Sequence, residues 1–159
     1  MKKQDLIALA GSVVLTLGVG FVGSLFTAPA IQGWYTTLVR PELAPPNWVF
    51  GPVWTTLYVM MAVAAFLVWQ RKDALFSKKK VALGLYALQL GLNTAWSYFF
   101  FGQQEIGFAL GVIAALWLMI ALTMYWFYKI SKPAAYLLVP YLLWVSFASY
   151  LNYQFWLLN

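Results

Sequence analysis

Five long apolar stretches, separated by short polar breaks, dominate the pattern along the chain. Each approaches or exceeds the roughly 20 residues that cross about 30 Å of hydrocarbon as a helix, and a helix satisfies its own backbone hydrogen bonds there. The alternating ten-residue segments of membrane barrels are absent from the sequence. The pattern therefore predicts an all-α integral membrane protein, a five-transmembrane-helix bundle in a single domain of residues 1–159, with spans at residues 6–26, 49–69, 81–101, 106–128 and 134–157.

The composition also indicates a protein that lies in a lipid bilayer rather than in water. The chain is 64% hydrophobic and only 9% charged, which is too few charges to cover a soluble globule of this size. Lys2-Lys3, an apolar run and Ala28-Pro29-Ala30 are also a pattern typical of a secretory signal. The run is about 21 residues, longer than the roughly 7 to 15 of a signal core, so we expect it to be retained as the first transmembrane helix.

The distribution of basic residues predicts an orientation. Five spans put the two termini on opposite sides, and nine of the ten basic residues then share the amino-terminal side, with Arg40 alone opposite. The positive-inside rule makes the amino terminus cytoplasmic and the carboxyl terminus non-cytoplasmic. Lysines that meet anionic headgroups explain the net charge of +6, so we expect the lipid bilayer as a partner and no nucleic acid.

The missing residue types exclude several kinds of chemistry. The sequence has no histidine and no cysteine, and its four acidic residues fall at span ends or in loops. Metal hydrolysis, a serine-histidine triad and paired-carboxylate catalysis therefore lack their parts, and we expect no metal site and no required cofactor. Ion-coupled transport usually keeps an ionisable group at membrane depth, and this chain offers none.

Amide, hydroxyl and aromatic side chains share one helical face on three of the spans. The three faces are Phe50, Trp54, Tyr58 and Met61; Gln89, Asn93, Trp96 and Ser97; and Tyr141, Trp144, Ala148 and Asn152. Two interpretations stay open. The polar groups either tie neighbouring helices together by hydrogen bonds or line one cavity for a flat ligand.

Small residues recur at every fourth position on two other helix faces. Ser12, Thr16, Gly20 and Ser24 do so in the first span, and Gly107, Gly111 and Ala115 in the fourth. Such faces permit close backbone approach, and packing within the bundle is their default use. A homodimer seam is the alternative, and it is more plausible on the fourth span, which has a literal G-x-x-x-G.

Ordered motifs in the first loop and in three spans closely resemble the TspO/translocator protein family, the tryptophan-rich sensory proteins. The motifs are Trp34-Tyr35, Arg40-Pro41, Pro45-Pro46, Trp48-Val49-Phe50, Pro52, Trp54-Thr55-x-Leu57-Tyr58, Gln89-Leu90-x-Leu92-Asn93-x-x-Trp96-Ser97 with Phe99-Phe100, and Pro140-Tyr141-Leu142-x-Trp144-x-x-Phe147-Ala148-x-x-Leu151-Asn152. The resemblance covers nearly the whole chain. It implies a five-helix membrane fold, usually a homodimer, whose long first loop folds over a pocket between the helices.

The resemblance also implies the ligands and the site. Family members bind protoporphyrin IX, haem and related tetrapyrroles, as well as synthetic isoquinoline carboxamides and benzodiazepines. The matching pocket positions are Tyr35, Pro45, Phe50, Trp54, Tyr58, Asn93, Trp96, Ser97, Trp144, Phe147 and Ala148. A tetrapyrrole-binding sensor or regulatory translocator protein is the first reading. Light-dependent porphyrin degradation through Trp54 and Trp144 is the alternative, and a transporter ranks third.

Sterol binding is a weaker implication of the resemblance. Animal members are credited with a carboxyl-terminal pattern of the type L/V-x-Y-x-K/R, and here Leu151-Asn152-Tyr153 is followed by no basic residue. Leu122, Tyr125 and Lys129 satisfy the loose formula, but a helix end with a lipid-facing lysine explains them more simply.

Prolines make the first loop stiff. Four of the seven prolines lie between residues 41 and 52, and proline fixes its own φ and biases the preceding residue away from helix. We therefore predict that residues 41–47 form a stiff lid whose closure over a ligand forfeits little entropy. Pro52 is predicted to fall in the first turns of the second span, where a missing amide hydrogen costs least.

Overall fold

The structure, a computed structural model, describes residues 2–159, and within them it is helical with no strand. A 3-10 turn, Trp34–Thr37, follows the first helix, and a π-helical turn, Tyr98–Gly102, extends the third. The helices are α1 (Lys3–Gln32), α2 (Asn47–Trp69), α3 (Phe76–Ser97), α4 (Ile106–Ile130), α5 (Lys132–Leu137) and α6 (Val139–Leu158). Only Leu138 separates α5 from α6, so the described chain has the five long helical segments that the sequence predicts.

Four of these segments are long and apolar enough to cross a membrane: α1, α2, α4 and the combined segment Lys132–Leu158. The protein is therefore a multi-pass membrane protein. Helix α3 does not meet this measure because it carries basic residues at its start and the amides Gln89 and Asn93, which are buried inside the bundle. It also begins at Phe76, earlier than the predicted start at residue 81.

Hydrogen bonds tie the connections together at each end of the bundle. At one end, Arg71 Nε donates to the carbonyl oxygen of Ile130 at 3.3 Å, and Lys79 Nζ donates to that of Trp69 at 2.9 Å. At the other end, the backbone N–H of Val39 donates to Oδ1 of Asn159 at 2.8 Å. The α2–α3 connection thus meets the end of α4, and the first loop meets the carboxyl end of α6.

Pro52 falls in the first two turns of the second span, as predicted, but not at a position where a missing amide costs least. Helix α2 begins at Asn47 rather than at residue 49, so Pro52 is its sixth residue. Only the first four amides of a helix lack an intrahelical partner, and Pro52 therefore leaves the carbonyl of Trp48 without its usual donor. The proline lies two residues beyond the first four positions, where its missing amide would have cost least.

Two clusters of buried side chains enclose the space where the site lies. The larger one joins α2 to α4 and α6 through residues such as Met61, Ile113 and Val145, which are at most 1% exposed. The smaller one, at the loop end, contains Tyr35 and Phe155 together with Phe100 and Ala109. The gap between these clusters is a cavity.

Candidate functional site

A cavity of about 440 Å³ lies among α1, α2, α3 and α6, below the first loop. Its volume is in the range of small-molecule sites, roughly 300–1,000 Å³. Its wall is mainly apolar and aromatic, with a few amide and hydroxyl groups. The cavity is not fully enclosed, since Phe21 of α1 lines it while being 65% exposed.

The structure brings nine of the eleven sequence-predicted site residues to this cavity. These nine are Tyr35, Phe50, Trp54, Tyr58, Asn93, Trp96, Ser97, Trp144 and Ala148. Pro45 does not line it; it lies in the first loop, where its carbonyl accepts a hydrogen bond from Arg40 Nη2 at 2.9 Å. Phe147 does not line it either, and its ring packs against the ring of Trp144 with centroids 5.8 Å apart.

A buried hydrogen-bond chain forms the floor of the cavity. Tyr58 Oη donates to Oδ1 of Asn93 at 2.6 Å, and Asn93 Nδ2 donates to Oη of Tyr141 at 3.0 Å. Tyr141 Oη in turn donates to Oε1 of Gln89 at 2.8 Å. The interhelical interpretation therefore holds for Asn93, which joins α2, α3 and α6 even though it also faces the cavity.

A second pair of hydrogen bonds, both made by Asn152, fixes another wall of the cavity. Trp96 Nε1 donates to Oδ1 of Asn152 at 2.9 Å, and Asn152 Nδ2 donates to the carbonyl oxygen of Ile106 at 2.9 Å. The Trp96 ring also packs at 5.4 Å from that of Phe100 in the π-helical turn. These bonds hold the indole plane at a fixed angle to the cavity, which suits a surface for stacking on a flat ligand.

Trp54 and Trp144 are the half-buried indoles of α2 and α6. The ring of Trp54 lies 5.6 Å from that of Tyr58, and the ring of Trp144 lies 6.1 Å from that of Phe50. Within residues 2–159 the indole N–H groups of Trp96 and Trp117 have protein acceptors, whereas those of Trp54 and Trp144 have none. Both indoles are thus available to a ligand, through the ring face and through the donor.

The first loop is held by contacts on both of its sides, and of residues 33–46 only Tyr35 lines the cavity. The Arg40 guanidinium lies 5.8 Å from the ring centroid of Tyr35, and Asn159 receives and donates hydrogen bonds at the backbone of Val39. Tyr35 packs on Phe155 at 5.2 Å. Its burial raises the pKa of the phenol above 10, while the Arg40 charge works in the opposite direction, so the hydroxyl stays neutral at physiological pH.

Helix α1 supplies a whole wall that the sequence analysis did not assign to the site. Its lining residues are Leu17, Gly20, Phe21, Gly23, Ser24, Thr27, Ala28 and Ile31. The sequence signal for this wall was the small residue at every fourth position of α1, and these four residues have two different roles. Ser12 and Thr16 make interhelical hydrogen bonds at 2.8 Å to the Ala62 carbonyl and to the Tyr86 hydroxyl, whereas Gly20 and Ser24 face the cavity.

Beyond α1, the lining residues absent from the predicted site are Asn47, Gly51, Thr55, Phe100, Phe101, Leu151, Asn152 and Phe155. Asn47 shows why one of them was missed. It extends the face of Phe50, Trp54 and Tyr58 by one turn toward the loop, because residues at i, i+3, i+7 and i+11 lie on one side of a helix. The predicted span began at residue 49, which left Asn47 in the lid rather than on the helix.

Comparison with known proteins agrees with the resemblance seen in the motifs. The model of the TspO/MBR family matches residues 12–157. The Tryptophan-rich protein TspO of Chlorobaculum tepidum is 47% identical over 163 residues, which cover 100% of this chain and 99% of that protein. The Translocator protein of Homo sapiens is 43% identical over 86% of this chain and 80% of its own length. A Tryptophan-rich sensory protein from Cereibacter sphaeroides is 40% identical over 83% and 85% of the two chains.

Proposed function

The chain belongs to the TspO/MBR family, and from that premise we propose that it is a tetrapyrrole-binding sensor or regulatory protein of the membrane. The pocket also accepts flat synthetic ligands of the isoquinoline carboxamide and benzodiazepine type. One observation carries the proposal: a cavity of about 440 Å³ is lined by the rings of Trp54, Trp96 and Trp144. Large aromatic faces and few polar groups are the chemistry that a flat macrocycle needs.

The polar groups of the cavity support binding more than catalysis. Asn93 and Asn152 are committed to other helices by hydrogen bonds of 2.6 to 3.0 Å. Removing either would leave buried partners unpaired, at a cost of about 1–3 kcal/mol. These residues therefore hold the pocket in shape, so that a ligand enters a largely preformed site and loses less ordering entropy.

A second candidate function is light-dependent porphyrin degradation. It is favoured by the two indoles, Trp54 and Trp144, that line the same cavity with free N–H groups. In this reaction an electron-rich indole lies close to the excited macrocycle, and dissolved oxygen is the oxidant, whose atoms add to the carbons of the macrocycle bond that breaks. No acid, base or metal is needed, so the residue types that the chain lacks do not exclude it.

We propose five membrane crossings with the amino terminus in the cytoplasm. Helix α3 is the fifth crossing, because its amides Gln89 and Asn93 face the bundle interior and not the lipid. The basic residues gather where the α2–α3 connection meets the end of α4, and the positive-inside rule assigns that end to the cytoplasm. The ligand pocket and Arg40 then lie toward the opposite side.

We propose a homodimer on the outer face of α4. Of the seam residues expected from the sequence, Gly107 already faces Trp156 of its own chain, since a Cβ there would lie 3.1 Å from the Trp156 Nε1. Gly111 has no neighbour within 4 Å, and Ala115 is half-buried. The seam is therefore centred on Gly111, and Gly111→Leu is expected to shift the protein toward monomer in detergent.

The test of function is a titration of the detergent-purified chain with protoporphyrin IX. Tryptophan quenching is followed in the dark, and porphyrin absorbance is then followed under illumination. Trp54→Phe and Trp144→Phe are compared with Trp117→Phe, a control whose indole donates to Ser146 away from the cavity. Saturable dark quenching with stable absorbance in light supports the sensor.

The other two outcomes separate the alternatives. Loss of the porphyrin bands in light, slowed by Trp54→Phe or Trp144→Phe but not by Trp117→Phe, supports the photochemical enzyme. Absence of saturable quenching refutes tetrapyrrole binding altogether.

A further inference from the structure

The ligand cavity opens between α1 and α2. Five of its lining residues are exposed, and they are Phe21, Ser24 and Ala28 of α1 and Gly51 and Thr55 of α2. Among residues 2–159, no lining residue from the first loop, α3, the π-helical turn or α6 is exposed. The opening therefore lies along the line where α1 and α2 face each other.

The two helices are in contact deeper in the bundle. Ser12 of α1 donates to the carbonyl oxygen of Ala62 in α2 at 2.8 Å. Two turns further along α1, Gly20 lies against the ring of Tyr58, so that a Cβ there would be 2.7 Å from Cδ2. Up to this level α1 and α2 leave no space between them.

Toward the loop, the same two faces are no longer packed. Ser24 and Ala28 follow Gly20 by four and eight residues, so they continue its face of α1. Thr55 and Gly51 precede Tyr58 by three and seven residues, so they continue its face of α2. All four would be buried between packed helices, yet they are exposed, and a Cβ added at Gly51 would meet no atom within 4 Å. The helices thus diverge, and we name the opening lined by these four residues and Phe21 the α1–α2 gap.

The α1–α2 gap faces lipid. Both helices are long and apolar enough to cross a membrane, and Phe21 and Leu25 are exposed apolar side chains on the α1 side. The hydroxyls at the gap bond within their own helices, since Ser24 donates to the Phe21 carbonyl at 2.7 Å and Thr55 donates to the Gly51 carbonyl at 2.9 Å. Neither hydroxyl therefore needs water as an acceptor.

The loop end of the cavity is closed by comparison. Tyr35, the one residue of 33–46 that lines the cavity, is buried and packs on Phe101 and Phe155 with ring centroids 5.8 and 5.2 Å apart. Asn159 holds the loop backbone at Val39 through two hydrogen bonds. A ligand passes this end only after the loop has moved.

We propose that ligands enter and leave the cavity sideways, from the bilayer, through the α1–α2 gap. The inference rests on the proposed ligand-binding function of the cavity. Flat apolar molecules concentrate in hydrocarbon, and an apolar gap lets them reach the cavity without returning to water. Moving a charge through such a gap is costly. The gap therefore admits flat ligands whose charged groups are confined to one edge, which stays at the membrane surface.

The test measures the rate constants for association and release of protoporphyrin IX. The full-length protein is placed in lipid nanodiscs, and tryptophan quenching is followed by stopped flow in the dark. Gly51→Leu adds bulk inside the α1–α2 gap. Gly84→Leu is the matched control, because Gly84 is an exposed glycine of α3, outside the cavity wall, with no atom within 4 Å of an added Cβ.

We expect Gly51→Leu to slow association and release together, each by about tenfold, because a narrowed passage is crossed in both directions. Loss of a contact to the bound ligand would instead show mainly as faster release. Gly84→Leu should leave both rate constants unchanged.

A second variant changes the passage in the opposite direction. Phe21→Ala removes the largest side chain of the α1–α2 gap and should raise both rate constants about threefold. Faster association separates this effect from a lost contact, which would speed release alone. Leu25→Ala is the control, since Leu25 is an exposed apolar residue of the same helix that does not line the cavity.

Several outcomes overturn the inference. Unaltered rate constants in both Gly51→Leu and Phe21→Ala do so, and so does faster release from Gly51→Leu. A changed oligomeric state of Gly51→Leu in light scattering also overturns it, because a second copy of the chain would then cover the gap. Saturable quenching of the unmodified protein alongside any of these results refutes this inference alone, whereas absence of saturable quenching refutes the proposed function as well.

Discussion

Gly20→Ala tests whether the close approach of α1 to α2 shapes the ligand cavity. A Cβ at Gly20 would meet the ring of Tyr58, lying 2.7 Å from its Cδ2 and 3.0 Å from its Cζ. Carbon atoms pack at about 3.5–4.0 Å, so the ring has to retreat by about 1 Å. The hydroxyl of that ring donates to Asn93 at 2.6 Å, and the retreat stretches or breaks this bond at the floor of the cavity.

The expected loss of stability in Gly20→Ala follows from the cost of overpacking. Adding a methyl group to a filled interior costs about 1–3 kcal/mol, and we take about 2 kcal/mol here. For a chain of this size each kcal/mol lowers the unfolding midpoint by about 2–4 °C. We therefore expect Gly20→Ala to lower the apparent midpoint in detergent by about 4–8 °C. Affinity for protoporphyrin IX should fall several-fold, because Tyr58 lines the cavity.

Gly18→Ala is the matched control. It adds the same methyl group to the same helix, and no atom lies within 4 Å of the added Cβ. We expect its unfolding midpoint to equal that of the unmodified protein or to exceed it slightly, since alanine is the better helix former. Equal midpoints and equal affinities for Gly20→Ala and Gly18→Ala would refute the reasoning.

Three further substitutions test the lid and the interhelical bonds. Replacing Pro45 and Pro46 together by alanine should weaken porphyrin affinity a few-fold. The unfolding midpoint should stay within about 2 °C of that of the unmodified protein, which is the effect of a surface substitution. Unchanged affinity in the dark titration would argue against a stiff lid. Asn159→Ala removes the two hydrogen bonds to the first-loop backbone and should speed ligand release in stopped-flow measurements, and an unaltered rate would contradict that role. Thr16→Val loses the 2.8 Å hydrogen bond to Tyr86 and should lower the unfolding midpoint by about 2–4 °C. Porphyrin affinity should not change, since Thr16 does not line the cavity. A change in affinity with an unchanged midpoint would contradict this role.

Each of these variants has a control elsewhere in the chain. Pro133→Ala changes a proline in α5, away from the lid. Leu158→Ala shortens a side chain that is 45% exposed next to Asn159. Thr56→Val removes a hydroxyl that returns to its own helix, donating to the Pro52 carbonyl at 2.9 Å, so no bond between helices is lost.

Part of the molecule follows from the sequence alone. The apolar stretches predict five long helical segments because the length that crosses a bilayer and the need to satisfy backbone hydrogen bonds leave few alternatives. Helical periodicity groups Phe50, Trp54 and Tyr58 on one face, and the ordered motifs lead to the family that comparison confirms. These are properties of single helices and of residue order, and both can be read along the chain.

The tertiary structure decides which helix stands opposite each face. Periodicity shows that Thr16 and Gly20 share a face of α1. It does not show that Thr16 lies against Tyr86 and Gly20 against Tyr58. For the same reason the α1 wall was missed, and Asn93 could not be assigned between holding helices together and lining the cavity until its partners were known. The exposure of Gly51 and Thr55 in the α1–α2 gap is likewise invisible in the sequence, because exposure is defined by what surrounds a residue in space.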